Sequence, residues 1–212
     1  ERGRYEEAEQ LHRKALQGRR EKLGETHPNT LQSMHHLAEV LQERGQLQEA
    51  EKLYRQELQS RRASPGDSHP DTLSSMHDLA TLLVKREQFG EAEELFREEL
   101  EKCSRSVHGH QHEETLSSSD HFAEFLKDRG RLEEAEELYR QVLESSGRVK
   151  LGDEHADTMS SISDLATLLK EKEEWKEAEQ LFCEKLKRCQ SVHGTQHKET
   201  ITATKKLAKF LK

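Results

Sequence analysis

The sequence has little of what usually cross-links a protein or anchors it to a membrane. It contains only three cysteines, Cys103, Cys183 and Cys189, and no Cys-x-x-Cys pair, so we expect neither a disulfide framework nor a cysteine zinc site. No apolar run is long enough to span a bilayer, and no signal peptide or lipidation motif is found. These absences predict a cytoplasmic protein that does not bind membranes.

Catalytic motifs are also missing. The sequence has no nucleophile elbow, phosphate-binding loop, metalloprotease motif or dinucleotide-binding fingerprint. We therefore predict a protein that is not an enzyme, with no catalytic residues, no cofactor and no metal. A metal-dependent enzyme stays open as an alternative, supported only by the 13 histidines, of which His108, His110 and His112 form a local cluster.

Apolar residues are scarce as well, at 31% of the chain against 36% charged residues. That composition alone is typical of disorder, but the apolar residues recur at fixed spacings, which indicates a folded array with a thin core. The net charge of −8 argues against nonspecific nucleic-acid binding, which depends on neutralising phosphates. Residues 195–212 are nevertheless basic, and they form either a solvated helix or a patch that faces an anion.

What the sequence does contain is a five-fold repeat. A glycine, a histidine three residues later and a threonine three residues after that recur, with successive glycines 42, 43, 43 and 42 residues apart. A fixed period of this size is typical of repeat arrays, in which each unit buries its apolar face against its neighbours. The copies are Gly24-His27-Thr30, Gly66-His69-Thr72, Gly109-His112-Thr115, Gly152-His155-Thr158 and Gly194-His197-Thr200.

Each repeat holds two helical patterns. After the histidine turn comes a Leu-Ala or Phe-Ala pair with a leucine three residues after the alanine, which we call the first-type helix. A Glu-Ala-Glu motif with apolar residues at helical spacing follows, which we call the second-type helix. No stretch alternates as a β-strand would. The first-type alanines are Ala38, Ala80, Ala123, Ala166 and Ala208, and the second-type alanines are Ala8, Ala50, Ala92, Ala135 and Ala178.

These patterns predict an all-α fold in which ten helices form a right-handed α-α superhelix, with about 42–43 residues per repeat. The single array would comprise a partial repeat 1–27, repeats 28–69, 70–112, 113–155 and 156–197, and a partial repeat 198–212. Because both ends fall inside a repeat, we expect either a fragment of a longer array or end-to-end self-association.

The turns between helices carry their own signals. Pro28 and Pro70 follow a turn histidine, where proline suits the first turn of a helix. Gly45 stands before a second-type helix, where a left-handed residue can end the preceding helix. Glu87 and Glu173 replace that glycine in two repeats, so we expect less regular turns there. Each turn histidine is expected to hydrogen-bond the backbone near a helix start rather than to bind a metal.

The pattern resembles the tetratricopeptide repeat, whose preferred residues at the first-helix leucine, the two small positions and the second-helix aromatic match Leu37, Ala38, Ala50 and Tyr54. The longer repeat and the Leu-Gly-x-x-His-Pro-x-Thr turn at residues 23–30 resemble the tetratricopeptide domain of kinesin light chain and its nephrocystin-like relatives. The resemblance covers essentially the whole chain. It implies that first-type helices line a concave groove that holds an extended peptide.

This chain departs from that family at one place in the groove. An asparagine pair before the Leu-Ala often contacts the bound backbone in the family, and none of the corresponding residues is asparagine here. His35, His77, Asp78 and His121 lie on adjacent first-type helices and offer suitable metal ligands. We expect them to form a pH-sensitive polar wall without an ion.

The predicted function is a non-enzymatic interaction module that binds a peptide segment or helix of a protein partner in the groove. The alternative is a structural scaffold or spacer that uses its convex face and open ends in a larger assembly. No nucleic-acid or membrane partner is expected. The predicted groove residues are Gln32, His35, His36, Glu39, Ser74, His77, Asp78, Thr81, Asp120, His121, Glu124, Ser163, Asp164, Thr167, Lys205 and Lys206.

Overall fold

The computed structural model of the chain describes residues 2–105, 113–148 and 156–211, and these residues form ten α-helices and no β-strand. The predicted all-α class and the number of helices are therefore confirmed. First-type helices carry even numbers and second-type helices odd numbers. The helices are α1 (Arg2–Leu23), α2 (Pro28–Glu43), α3 (Leu47–Ala63), α4 (Pro70–Lys85), α5 (Phe89–Arg105), α6 (Glu113–Asp128), α7 (Leu132–Arg148), α8 (Ala156–Glu171), α9 (Trp175–His193) and α10 (Lys198–Phe210).

The chain divides into two compact units, Glu1–Lys102 and Cys103–Lys212. In the first unit, α2 packs against α1 and α3, and α3 packs against α4. In the second unit, each helix from α6 to α10 packs against the next, and the first-type helices α6 and α8 also touch. Within each unit, these helices that are consecutive in sequence are thus neighbours in space, as expected of stacked helical repeats. The repeat boundaries given above stay a prediction.

Alanine sits where the helices approach most closely. Four of the motif alanines, Ala38, Ala50, Ala80 and Ala166, are completely buried. A methyl group at these positions lets two helices pack closely, and larger side chains fill the space beside it. Tyr54 is one of these larger residues and is 2% exposed. The cysteines Cys103 and Cys189 are free thiols, and both are buried.

Histidine caps the first-type helices. The Nδ1 atoms of His27 and His69 accept the backbone N–H two residues later at 3.2 Å, and that of His197 does so at 3.4 Å. Such a bond satisfies a donor that the first turn of a helix leaves unpaired. The backbone role expected of the turn histidines is confirmed at these three, while His112 and His155 lie outside the described residues. Pro28 and Pro70 occupy the first helical position, as predicted.

Glutamate adopts a glycine-like conformation in two turns. The φ angles of Glu87 and Glu173 are 61° and 63°, against 76° and 75° at Gly45 and Gly130. The hydrogen bonds also match, because the residue after each of these four donates to the carbonyl five residues earlier, for example Gln46 to Leu41 at 2.8 Å. The expectation of less regular turns at the two glutamates was wrong. Helix packing on both sides imposes the left-handed turn whether or not glycine is present.

Both glutamates of the Glu-Ala-Glu motif form ion pairs between repeats. The glutamate before the alanine binds an arginine of the preceding second-type helix. The glutamate after the alanine binds the basic residue that ends the next first-type helix. The first set of pairs is exposed, and such pairs each contribute about 0.2–1 kcal/mol, whereas the second set is more buried. The pairs are Arg13–Glu49 (2.7 Å), Arg55–Glu91 (2.5 Å) and Arg140–Glu177 (2.8 Å), and Glu9–Arg44, Glu51–Arg86 and Glu136–Lys172.

Candidate functional site

In the first unit, a histidine on α2 joins three helices. His35 Nδ1 lies 3.4 Å from the Glu57 carboxylate of α3 and 3.8 Å from the Asp78 carboxylate of α4. Its Nε2 lies 3.7 Å from Glu39 on α2. The ring also packs edge-on against Tyr54, with ring centroids 5.7 Å apart. His35 therefore links the polar faces of the two neighbouring first-type helices.

The partner of this histidine is a completely buried carboxylate. Glu57 has no exposed surface, and Arg61 Nε lies 2.9 Å from its Oε1. The hydroxyl of Ser75 donates to the same oxygen at 3.1 Å. Arg61 also reaches Asp71 at 2.8 Å. A buried carboxylate is tolerated only when charges and hydrogen bonds surround it, so Glu57 is part of a connected polar network beneath the surface.

The same arrangement recurs one repeat later. His77 Nδ1 on α4 lies 3.6 Å from the carboxylate of Glu99 on α5, which is 5% exposed. The His77 ring packs edge-on against Phe96 at 5.8 Å, as His35 packs against Tyr54. The two buried glutamates were missed from the sequence. The signal was present, because Glu57 and Glu99 both stand seven residues after the alanine of Glu-Ala-Glu.

These contacts change the protonation of the polar face. The hydrogen bond that His35 donates to Glu57 raises the pKa of His35 despite the opposing effect of burial, and the charges of Glu57, Asp78 and Glu39 add to the rise. Burial opposes the charged form of His77, but the bond to Glu99 and the nearby charges outweigh it and raise the pKa of His77. Burial raises the pKa of Asp78, and the two histidines only partly offset this. The predicted pH-sensitive wall thus has a physical basis in this unit.

The predicted site residues of the first unit lie on α2 and α4, and His35 and Asp78 bring the two helices into contact. Three of them are exposed and the others are half-buried. His36 Nδ1 lies 3.1 Å from Glu39, and Ser74 lies within 3.4 Å of Asp78. The exposed residues are Gln32, Glu39 and Ser74, and the half-buried residues are His35, His36, His77, Asp78 and Thr81.

In the second unit, a hydrogen bond links the first-type helices α6 and α8. The hydroxyl of Ser161 donates to Asp120 at 2.7 Å, and Ser160 donates to Asp164 at 3.1 Å. His121 and Glu124 are exposed on α6. These predicted residues therefore form a second polar surface, rich in carboxylates and hydroxyls.

One predicted groove residue is not at the surface. Ser163 is 2% exposed, because its hydroxyl receives the ammonium group of Lys185 from α9. Thr167, the next predicted residue on α8, is half-buried and donates to the Ser163 carbonyl at 2.7 Å. Lys205 and Lys206 are exposed on α10, as the sequence suggested. Ser163 thus supports the surface through Lys185 rather than offering a contact of its own.

A possible metal-binding cluster lies elsewhere than expected. Among the described residues, His193, His197 and Glu199 bring three potential ligand atoms within 4.8 Å of one another, and all three are exposed. His197 Nδ1 accepts a backbone N–H, which places the proton of the neutral ring on Nε2. A metal on either ring nitrogen would end this cap, so the cluster is weak support for a metal site. The His108, His110 and His112 cluster lies outside the described residues.

None of the helices in the described part of the chain is long and apolar enough to cross a membrane. The polar sides of α2, α4, α6 and α8 carry imidazoles, carboxylates and hydroxyls. Imidazoles, carboxylates and hydroxyls can pair with a partner's backbone and charged groups.

Comparisons with known proteins agree with the helical repeat. A structure of a protein from Podosopora anserina, described as a kinesin light chain with nearly identical TPR-like repeats, is 26% identical over 91% of this chain and 90% of its own, with a TM-score of 0.76. A variant of that protein is 27% identical over 90% of this chain and 89% of its own length, with the same TM-score of 0.76. BtubC (BKLC) from P. vanneervenii shares the fold at 20% identity over 97% of this chain and 82% of its own length, with a TM-score of 0.79.

A search of curated protein sequences finds no match. The family model for the tetratricopeptide repeat matches residues 1–63, 32–104 and 114–190, which is most of the chain. Repeats of this family generally mediate interactions between proteins. By its sequence and by its pairs of stacked helices, the chain belongs to the tetratricopeptide repeat family.

Proposed function

We propose that this protein is a non-enzymatic interaction module that holds a segment or helix of a partner protein against the polar faces of its first-type helices. The observation that carries the proposal is the placement of His35 against both Glu57 and Asp78, 3.4 Å and 3.8 Å away. This contact joins α2 and α4 through polar side chains. The hydrogen bond from Ser161 to Asp120 links α6 and α8 in the same way.

The chemistry of these surfaces suits an extended segment. An extended backbone presents alternating donors and acceptors, and the imidazoles, hydroxyls and carboxylates on neighbouring helices can pair with both. His36 and Glu39 on α2 and His121 and Glu124 on α6 are placed to make such contacts. Because these side chains are polar, specificity would come from charge and hydrogen-bond pattern more than from buried apolar area.

Site-specific photo-crosslinking tests which face holds the partner. A photo-reactive amino acid replaces exposed Glu39 on α2 or Glu124 on α6, with exposed Gln59 on α3 and Lys187 on α9 as matched second-type positions. We expect one protein to be crosslinked in native lysate from the first two positions and not from the other two. Equal crosslinking from all four positions, or crosslinking from the second-type helices alone, would contradict the proposal.

The crosslinked partner then allows an affinity measurement. The double variant His36→Ala with His121→Ala should weaken binding about tenfold or more, because polar contacts at an interface centre are costly to remove. The Gln59→Ala variant is the control and should bind as the unchanged protein does. Thermal melting of each variant separates lost binding from lost folding.

The alternative function, a scaffold that docks through its outer surfaces, is favoured by exposed apolar side chains. Leu11 on α1 and Leu211 after α10 are each 61% exposed, and Ile201 on α10 is 41% exposed. Sedimentation velocity at increasing concentration would detect association through these residues. Association that disappears in the Ile201→Lys variant would favour the scaffold, and a monomer at all concentrations would count against it.

A further inference from the structure

A mostly basic cavity lies in the second unit between α8, α9 and α10. Its volume is about 480 Å³, which falls within the range of small ligand sites, roughly 300–1,000 Å³. Lysines and one histidine from α9 and α10 face a single carboxylate. The lining residues that carry charge are Lys185, His193, Lys198, Lys206 and Glu199, and the hydroxyls come from Ser160 and Thr202.

The floor of the cavity is the half-buried ammonium group of Lys185. Lys185 Nζ donates to the Met159 carbonyl at 2.7 Å and to the Ser163 hydroxyl, both of which are neutral. In the described part of the chain, no carboxylate oxygen lies within 4.0 Å of Lys185, Lys198 or Lys206. Burial lowers the pKa of Lys185, and the positive charge of Lys206 lowers it further. The charges of Asp164 and Glu199 offset this only partly, so among the described residues no carboxylate pairs directly with the Lys185 ammonium group.

Packing alone does not call for lysine at this position. Lys185 stands seven residues after the alanine of its Glu-Ala-Glu motif, where the first unit has Glu57 and Glu99, each beside a histidine. In α7 the same position is Val142, which is buried and apolar. Since valine fills the space without burying a charge, the lysine in α9 costs stability that a structural role would not require.

We propose that this cavity is an anion-binding site that takes a phosphate monoester, carried by a phosphorylated serine or threonine of the partner segment. The inference rests on the proposed function, because Ser160 and Lys206 belong to the first-type helices α8 and α10. A phosphate monoester carries about −1.5 to −2 charges at pH 7 and three acceptor oxygens. The three ammonium groups and two hydroxyls of the cavity can pair with the charge and the oxygens of a phosphate monoester more completely than with a carboxylate, which carries one charge.

The test uses small probes and needs no partner. Calorimetry at low ionic strength compares inorganic phosphate, phosphoserine with blocked termini, and acetate on the full chain. We expect both phosphates to bind and acetate to bind at least tenfold more weakly. Comparable binding of acetate, binding of inorganic phosphate without the blocked phosphoserine, or no binding at all would each overturn the proposal.

Variants locate the binding. Lys185→Met and Lys206→Met should each weaken phosphoserine binding about tenfold, because each removes a charged donor. Lys185→Arg, which keeps the charge, should retain most of the affinity. Exposed Lys176 on α9 lies outside the cavity, and Lys176→Met removes the same charge as a control. An equal loss in Lys176→Met and Lys185→Met would show nonspecific attraction and refute the site. Melting curves confirm that each variant is folded.

The two proposals fail separately. Phosphoserine binding without crosslinks from Glu39 or Glu124 would leave the anion site standing and remove the partner-binding faces. Crosslinks from those positions without phosphoserine binding would support the partner-binding faces and refute the anion site.

Discussion

At the scale of single residues, backbone strain is present in two turns. Glu87 and Glu173 have φ angles near +60°, a region that glycine reaches freely and other residues reach at a cost of roughly 1–2 kcal/mol. Their neighbours keep the hydrogen bonds of the glycine turns. The turn is thus set by the helices on either side, and the residue within it determines only the energetic cost.

Replacing one of these glutamates with glycine should stabilise the protein. We expect Glu87→Gly to raise the free energy of unfolding by about 1 kcal/mol, a melting shift of about 2–4 °C in a chain of this size. Urea denaturation followed by circular dichroism measures it. Glu94→Gly, at an exposed site inside α5, should instead cost about 1 kcal/mol. Destabilisation by both substitutions would show that residue 87 carries no strain.

The buried histidine–glutamate pairs should make stability depend on pH. The folded pKa of His77 is raised above the ordinary histidine value of 6.5, so its contribution to stability is present below pH 6.5 and is lost as pH rises through the folded pKa. We expect His77→Gln to lower the free energy of unfolding at pH 6 more than at pH 8.5. Denaturant titrations over this pH range measure how steeply the free energy of unfolding changes with pH.

A control histidine separates this effect from general acid effects. His12 on α1 has no carboxylate oxygen within 4.0 Å among the described residues. The variant His12→Gln removes an imidazole of this kind, and its pH dependence is compared with that of His77→Gln. If the free energy of unfolding changes equally steeply with pH in the His77→Gln variant and in the unchanged protein, His77 does not cause the pH dependence.

At the scale of helices, alanine positions and ion pairs have different roles. The buried alanines determine how closely α2 and α3 approach, and the glutamates around Ala50 bind arginines of neighbouring repeats. The alanines could be located from the sequence because helical spacing places them on one face. The ion pairs could not, although arginine recurs five residues after the motif alanine at Arg13, Arg55 and Arg140.

A larger residue at a motif alanine should separate the paired helices. Ala50 has no exposed surface, so Ala50→Val should cost about 1–3 kcal/mol through overpacking. Thermal or chemical denaturation measures the loss. Ala15→Val, at an exposed position of α1, changes helix propensity alone and should cost less than about 1 kcal/mol. Equal losses at the two sites would mean that close packing at Ala50 has no energetic effect.

At the scale of the whole molecule, each unit presents its own surface chemistry. The first unit has histidines above buried glutamates, and the second has carboxylates on α6 and α8 with lysines on α9 and α10. A tetratricopeptide array built from such units has no central core, and its stability approximates a sum of repeats and their nearest-neighbour contacts. Different repeats can therefore carry different surfaces without disturbing one another.

This independence predicts additive effects of distant substitutions. The helix of Ala50, α3, packs against α2 and α4, whereas the helix of Ala166, α8, packs against α6, α7 and α9, so these packed helices, taken over the described residues, include none in common. The destabilisation of the double variant Ala50→Val with Ala166→Val should equal the sum of the two single effects within about 0.5 kcal/mol. Denaturation by urea tests this, and a larger deviation would indicate one cooperative core.

The repeat, the helix pairs, the closely packed alanines and the histidine caps were all determined by the sequence alone. Each depends on residues a few positions apart, and helical geometry converts such spacing directly into contact. Only the tertiary structure decided that Glu57 lies buried beneath His35, that Ser163 faces Lys185, and that Glu87 adopts a left-handed turn. These features depend on side chains from different helices meeting at a few ångströms, which no periodicity along one helix specifies.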